Sequence, residues 1–495
     1  MTSIPMPLIV HRLKKPWEDQ MKTLLLNPPS FEKFDGGAGS RWPARREITS
    51  YWYPVWLAYP AGMIKESRLL DAPPHGVTPE ETIRIAGDYD FIVLFTSTPG
   101  FNNDILLAEM IKKSHPDVRI AFVGPPVSVH PEESLRASPA IDFVVRKEFD
   151  HAVTEFAQGK PLPDILGVSY LENGHIVHTP DRPVFTDLDS LPSVVDVYKR
   201  DLDITRYNVP FLLHPFIAFY TGRGCPARCT YCLWPQTFSG HTYRPRAAES
   251  VASDVKRAFE LFPNLKEIFF DDDTFSWDKT RVLDLCAKLK PLGFTWSCTC
   301  RVNADHEMLK AMRDAGCRLL IVGFESGDSG ILKNVKKGAT PELAMSFMKT
   351  ARSLGLAVHG DFIIGLPGET RETIKTTMRF AEELDCETIQ VSIAHPFPGT
   401  DFEVWLRDRG YLTKDEMFDE LGHQLPNFEY PGLTRHEIVQ AVEDFYGRYY
   451  FRPKVAFRII RRALFDKTER SRLYREAREY LQLRAKRKRF VRGKV

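Results

Sequence analysis

Two trains of short apolar runs, separated by stretches of helical period, organise this chain. The first holds Lys22–Asn27 (KTLLLN), Ser67–Asp71 (SRLLD), Phe91–Thr96 (FIVLFT), Ile120–Val123 (IAFV) and Phe143–Val145, with helical patterns such as Asn103–Lys113 (NDILLAEMIKK) between them. Unbroken apolar strands alternating with helices predict a parallel sheet covered on both faces. The expected fold is an α/β, doubly wound, Rossmann-like domain over residues 22–185. Its strands run into NPP, DAPPHG, TSTPG and GPP, and such folds bind ligands at these carboxyl ends. Gly167–Thr179 predicts a hairpin turning at Asn173-Gly174.

Residues 186–210 read as a linker. The second train then places strands at Phe216–Thr221, Glu267–Asp271, Thr295–Arg301, Arg318–Phe324, Val358–Ile364 and Thr388–Ile393, with helical stretches such as Ala247–Phe262 and Thr340–Leu354. Six β/α units predict a partial (β/α)6 barrel over residues 211–435, open or nearly closed. Chemistry in such barrels sits at the carboxyl ends of the strands. Residues 436–495 read as a helical, basic C-terminal region.

Length and composition add few constraints. The 495 residues suffice for two or three domains. Pro5, Pro7, His11 and Lys14 break the opening residues, so no signal peptide is expected. No apolar run reaches the length of a membrane-spanning helix. Eight cysteines without regular pairing suggest a reduced, cytoplasmic protein. Charge is more telling. Residues 452–495 hold 17 Lys or Arg against 4 Asp or Glu, a net +13, which leaves −11 on the rest of a chain whose total is +2. The tail therefore demands a reading of its own.

The candidate chemistry lies just after the first barrel strand, in TGRGCPARCTYCLWP. Cys225, Cys229 and Cys232 form C-x3-C-x2-C. A structural zinc site takes four protein ligands and a ferredoxin cluster four thiolates. Here no fourth Cys or His lies inside the loop, and His241 is the nearest extra candidate. Three thiolates on a [4Fe–4S] cube leave one iron open, and an open metal position is where a substrate or cosubstrate binds. Cys286, Cys298, Cys300, Cys317 and Cys386 sit among apolar residues and read as buried core cysteines.

The loop, with Tyr231 before its last cysteine and a strand before it, resembles the radical S-adenosylmethionine (SAM) superfamily. The resemblance implies that SAM binds the open iron and is cleaved to methionine and a 5′-deoxyadenosyl radical, chemistry the cofactor carries and the protein aims. Beyond the cluster itself, no catalytic residue is assigned. By the same resemblance, Asp272 and Asp273 (FDDDTF) lie near the SAM amine, unless they are a solvated strand end. Arg301 (CTCRVNAD) pairs with the SAM carboxylate in fork geometry. Glu325 (VGFESGD) accepts from the ribose or amine. Gly365 and Gly368 (GLPG) let backbone approach the adenine. Tyr231 packs on the adenine or in the core. An electron donor such as flavodoxin or ferredoxin is implied.

A doubly wound domain before such a barrel resembles the cobalamin-binding subclass. Many relatives there carry D-x-H-x-x-G with the histidine as cobalt ligand. Here the nearest stretch, Asp71-Ala-Pro-Pro-His75-Gly76, has altered spacing. His75 and His130 are the candidates to reach cobalt, against the plainer reading of surface or capped histidines, and the corrin can lie across the strand ends with no protein ligand. From about residue 22 to 450, NPPSFEKFDGGAGSRWPARREITSYWYPVWLAYPAG, DAPPHG, TSTPGF and IDFVVRKEFD resemble hopanoid-biosynthesis radical SAM proteins of the bacteriohopanetetrol cyclitol ether synthase type. What this implies is contraction of the glucosamine ring of bacteriohopanetetrol glucosamine, a hopanoid lipid, to a cyclitol ether. The stretch Arg41–Trp56 covers the mouth of the site or packs between domains.

The tail suits a lipid substrate. Val455–Phe465 (VAFRIIRRALF) has the pattern of an interfacial helix, and Leu483–Lys494 is polybasic. The expectation is peripheral contact with an anionic membrane at its inner face, against the plainer role of a solubilising tail. The same motifs admit a cobalamin-dependent methyltransferase acting on a hopanoid or other carbon centre. An RNA-modifying methylthiotransferase would carry further cysteines before the barrel, but residues 1–223 contain none. No nucleic acid partner is therefore expected. A redox-sensing binding module would need the SAM-side residues to be coincidence.

Overall fold

The computed structural model describes residues 20–32, 50–413, 424–465 and 478. Its first sheet comprises β1 (Thr23–Asn27), β2 (Ser67–Asp71), β3 (Phe91–Phe95), β4 (Arg119–Val123), β5 (Phe143–Val145), β6 (Val168–Glu172) and β7 (His175–His178). Their order is β2-β1-β3-β4-β5-β6-β7. The first five are parallel, and the β6–β7 hairpin joins antiparallel. Alternate residues explain the unbroken apolar runs. Leu25, Val93 and Ala121 enter one core, while Leu24, Ile92 and Ile120 enter a second on the opposite face. Asn173 and Gly174, at φ 51° and 81°, make the hairpin turn with both residues left-handed.

The second sheet comprises β8 (Phe216–Phe219), β11 (Glu267–Phe270), β12 (Trp296–Cys300), β13 (Cys317–Glu325), β14 (Ala357–Ile364) and β15 (Thr388–Ile393), with a small ribbon of β9 (Gly222–Arg223) and β10 (Arg244–Pro245) beside it. All six are parallel, in the order β15-β14-β13-β12-β11-β8, so the barrel is partial and has two edges. Tyrosine hydroxyls occupy both edges. Tyr53 and Tyr198 donate to the β8 carbonyls of Phe216 and Ala218 at 2.7 and 2.8 Å. On β15 the amides of Ile389 and Val391 donate to Tyr450 and Tyr446 at 3.0 and 2.9 Å. An exposed strand edge is a template for aggregation, and these contacts cover it.

Two segments differ from expectation. Residues 186–210 are not a bare linker. They contain the helix Val194–Asp201, whose Val194, Val195, Val197 and Tyr198 are buried. Residues 55–63 form a helix, VWLAYPAGM, apolar all round and buried from Val55 to Ala61. It has no polar face because it lies between the first sheet and the barrel, whose cores merge into one. This answers part of the question about Arg41–Trp56. Trp52 stacks edge-on against Phe211 and Phe269 inside the barrel, while Tyr53 lies on Tyr207, so residues 50–56 pack between domains. Residues 41–49 lie outside the described residues.

The helix Arg435–Tyr450 packs on the barrel edge, and the helix Pro453–Phe465 follows it. The polybasic stretch 483–494 lies outside the described residues. No described helix is long and apolar enough to cross a membrane.

Candidate active site

The cysteine loop springs from the carboxyl end of β8, closed at its base by the β9–β10 ribbon. Gly224, at φ 84°, opens it; a Cβ there would stand 2.2 Å from the Thr242 carbonyl oxygen, so only glycine fits. The Gln236 amide donates to the carbonyls of Cys229, Thr230 and Cys232 at 3.1, 3.1 and 2.8 Å. His241 Nδ1 lies 2.9 Å from the Ala227 carbonyl oxygen, so its ring braces the loop. Cys225 and Cys229 are buried and Cys232 half-buried. Burial raises the Cys225 and Cys232 thiols above their ordinary values, and repulsion from neighbouring cysteines adds to it. Bound iron would reverse that preference, since a coordinating thiol is deprotonated outright. Among the described residues no three His, Cys, Asp or Glu side chains converge as they would around one metal ion. Three thiolates on one loop, with no fourth Cys or His among them, are a donor set that fits a [4Fe–4S] cube with one open iron.

The three aspartates follow the end of β11 and divide by their partners. Asp272 accepts from the Thr221 amide and hydroxyl, each at 2.6 Å, and burial pushes its carboxyl up to about 6. Asp273 accepts from the Gly224 amide at 3.0 Å and the Ser239 hydroxyl at 2.9 Å. Both carboxylates therefore brace the chain around the cysteine loop, Asp272 at Thr221 and Asp273 at Gly224 and Ser239. Asp271, not singled out in the sequence, shares the face of Phe269 and is half-buried; burial raises its carboxyl well above the usual range. By register and alternation, Thr299, Asp361, Gln390 and Ser392 share this lumen face, all half-buried.

On the next strands, Arg301 donates through Nη2 to the Lys337 carbonyl at 2.8 Å. Glu325, at φ 63°, pairs with Lys337 Nζ at 2.7 Å. Tyr231 is packed against the core, and burial first and the nearby Glu325 next raise its hydroxyl well above the ordinary value. Lys337 also lies within electrostatic reach of Cys229 and Cys232. It is a site residue that the sequence reading missed. Gly365 and Gly368 have φ 95° and 87°. A Cβ on Gly365 would meet the Phe428 ring at 2.9 Å, and one on Gly368 would meet Asn334 Nδ2 at 2.7 Å. Tyr430 also donates to the Gly365 carbonyl at 2.7 Å. Neither glycine could carry a side chain without displacing these neighbours.

The loop faces the first sheet. Arg223, two residues before Cys225, is buried and donates both Nη atoms to Asp150 at 2.9 Å, with the Trp56 and Tyr59 rings 4.4 and 4.6 Å away. Arg244 forks onto Glu148 at 2.9 and 2.6 Å. Gly399, after β15, allows Val129 of the first domain to approach; a Cβ there would stand 2.7 Å from Val129 and 3.2 Å from Thr237. The carboxyl edge of the first sheet thus abuts the cysteine loop.

On that edge Asn27 Oδ1 and Thr98 Oγ1 are buried with no hydrogen-bond partner. Gly124, at φ 124°, lies so close to the Thr96 carbonyl that a Cβ would be 2.2 Å from its oxygen. Orphaned polar atoms beside tightly drawn backbone fit an amide-rich corrin. His75 is not poised for cobalt. Its Nδ1 donates to the Asp71 carbonyl at 2.8 Å and its Nε2 accepts from the Asp203 amide at 3.0 Å. His130 is 43% exposed, with Nδ1 3.4 Å from Glu133.

Comparisons with known proteins agree with this geometry. The radical SAM superfamily profile matches residues 219–381 and the B12 binding domain profile residues 41–157. An uncharacterized methyltransferase of Pyrococcus horikoshii is 32% identical over 463 residues, covering 89% of this chain and 95% of its own. The chain belongs to the cobalamin-dependent radical SAM family. Its fold is that of the cobalamin-dependent SAM radical enzyme OxsB, solved with aqua-cobalamin and SAM bound, at TM-score 0.66 and 17% identity over 93% of this chain and 72% of that one. A hopanoid C-2 methylase of Rhodopseudomonas palustris is 27% identical over 202 residues, 39% of this chain and 38% of its own. As a cobalamin-dependent radical SAM enzyme, the protein uses a [4Fe–4S] cluster, SAM and cobalamin.

Proposed function

We propose that this enzyme transfers a methyl group to a carbon centre, with a hopanoid as one substrate class in view. The observation that carries the reading is the contact between the cysteine loop and the carboxyl edge of the cobalamin-binding-type sheet, clamped by Arg223–Asp150 and Arg244–Glu148. Bound in these two places, the cluster would supply an electron for SAM cleavage and cobalamin would carry the methyl group, both within one interdomain space. The methyltransferase names of the Pyrococcus and Rhodopseudomonas relatives support it.

In this reading Cys225, Cys229 and Cys232 hold the cluster. Arg301 and Lys337 offer cations to the SAM carboxylate, and Glu325 or Asp271 an acceptor to its amine. Asp272 and Asp273 act on the loop that carries the cysteines. Lys337 orients Glu325.

A second reading, contraction of a hopanoid-linked glucosamine ring, has its own support. The lumen face carries Asp271, Asp361, Gln390 and Ser392, groups that suit hydroxyls and an amine better than a bare hydrocarbon. The N-terminal sequence likeness to the cyclitol ether synthase type points the same way.

The test is an anaerobic reaction of reconstituted protein with SAM, reductant, cobalamin and bacteriohopanetetrol glucosamine, followed by mass spectrometry. A product heavier by one methyl, with S-adenosylhomocysteine, is the expected result. A ring-contracted product with 5′-deoxyadenosine, and no methyl gain, overturns methyl transfer in favour of the second reading.

A further inference from the structure

The helix Pro453–Phe465 has two unlike faces. One is fastened to the barrel where the chain enters β15. Arg458 donates to the Cys386 carbonyl at 2.8 Å, Lys454 pairs with Asp385 at 2.7 Å, and Arg452 donates to the Glu382 carbonyl at 2.7 Å. Val455 is buried beneath them. The other face presents Phe457 at 67% exposure and Ile460 at 56%, with Leu464 one turn on at 62%. Large apolar side chains one turn apart on a 13-residue helix make a ridge about 20 Å long at most.

The charge around this ridge names its partner. Arg452, the helix and the residues after it together carry the net +13 of residues 452–495. A helix with an apolar ridge, a cationic flank and a basic extension has the composition of a segment that lies in a lipid interface. Each Lys or Arg near an anionic leaflet adds on the order of 1 kcal/mol of attraction. A protein partner of mixed charge would not call for so uniform an excess.

We propose that Phe457 and Ile460 dock the enzyme on an anionic bilayer, to which the basic C-terminal sequence adds attraction for the headgroups. The ridge lies at the amino-terminal end of β15, whereas the cysteine loop lies at the carboxyl end of the sheet. Docking therefore tethers the enzyme without blocking the mouth of the barrel. It does not rest on which reaction the site performs.

The experiment is flotation of the full-length protein with phosphatidylglycerol–phosphatidylcholine vesicles and with pure phosphatidylcholine vesicles. Salt-sensitive binding to the anionic vesicles is expected, at least about tenfold weaker for F457S/I460S because two buried apolar side chains are lost. Iron content of the double variant should match the parent, since neither residue touches the site. Equal binding by parent and variant would overturn the role of the ridge, and so would no binding by either. Loss of self-association in the variant with vesicle binding unchanged would give the ridge to a second copy of the chain instead.

Discussion

Arg223 and Asp150 meet across the two domains in a two-bond fork, 2.9 Å at each nitrogen, two residues before the first cysteine of the loop. Both side chains are almost fully buried, at 1% and 4% exposure. Removing one partner of such a pair leaves an uncompensated charge and costs roughly 3–5 kcal/mol. Contact with the Trp56 and Tyr59 rings recovers part of that cost for Arg223. Asp150→Ala is therefore expected to lower the denaturant midpoint and the iron bound per chain after reconstitution. Arg223→Lys keeps the charge but loses the fork and should fall between. Parent-like iron content in Asp150→Ala would show that the clamp does not position the loop.

Lys337 and Glu325 pose a similar case inside the site, 2.7 Å apart with side chains 12% and 7% exposed. Lys337→Met strands a buried carboxylate, while Lys337→Met/Glu325→Gln removes both charges. The single variant should lose several kcal/mol of stability, and the double variant should recover much of it. The lysine also faces two cysteines. Its loss should move the cluster midpoint potential to more negative values, because a cation near the thiolates favours the reduced, more negative state. Redox titration followed by electron paramagnetic resonance reads the shift. An unmoved potential would confine Lys337 to a structural role.

His75→Ala should leave the absorption and paramagnetic spectra of bound cobalamin unchanged. Both ring nitrogens of His75 are already engaged, with the Asp71 carbonyl and the Asp203 amide. The cost should appear in folding instead, about 1–2 kcal/mol for the lost bonds, read as a lower thermal midpoint. A changed cobalt spectrum would return His75 to the list of metal ligands.

Most strands of the first sheet were legible because they are short apolar runs ending at Pro or Gly, as in LLLNPP, FIVLFTSTPG and IAFVGPP, a local pattern that tertiary context did not override. The helix Val55–Met63 was not legible. Burial on every side erases the period that marks a helix, and Pro60 argues against one. The cysteine loop could be read from spacing alone. Its braces could not. Arg223 and Asp150 lie 73 residues apart with no pattern linking them. Lys336 and Lys337 are adjacent and identical in type, yet one side chain is 60% exposed and the other 12%. Only the left-handed turn at Lys336, φ 53°, separates them. The aspartates after β11 were legible as a cluster, but their hydrogen-bond partners were not. The chain at Thr221 and Gly224 takes up two of the carboxylates, contacts that no local pattern signals.

Glu369 gives the site a pH dependence of known sign. It sits just past β14, buried, with Oε2 accepting from the Gly365 and Leu366 amides and Oε1 without a partner. Burial pushes its carboxyl up to about 8 from an ordinary 4.5, against the two amides, which favour the charge. The folded chain thus holds this proton more tightly than the unfolded chain does. Its stabilising contribution is complete below about 4.5 and is lost as the pH rises to about 8. Glu369→Gln keeps the shape and one acceptor but cannot ionise. The parent's unfolding free energy should therefore fall over this window by up to a few kcal/mol more than the variant's. Parallel pH profiles for the two proteins would mean that Glu369 keeps its charge in the folded state, held by the Gly365 and Leu366 amides.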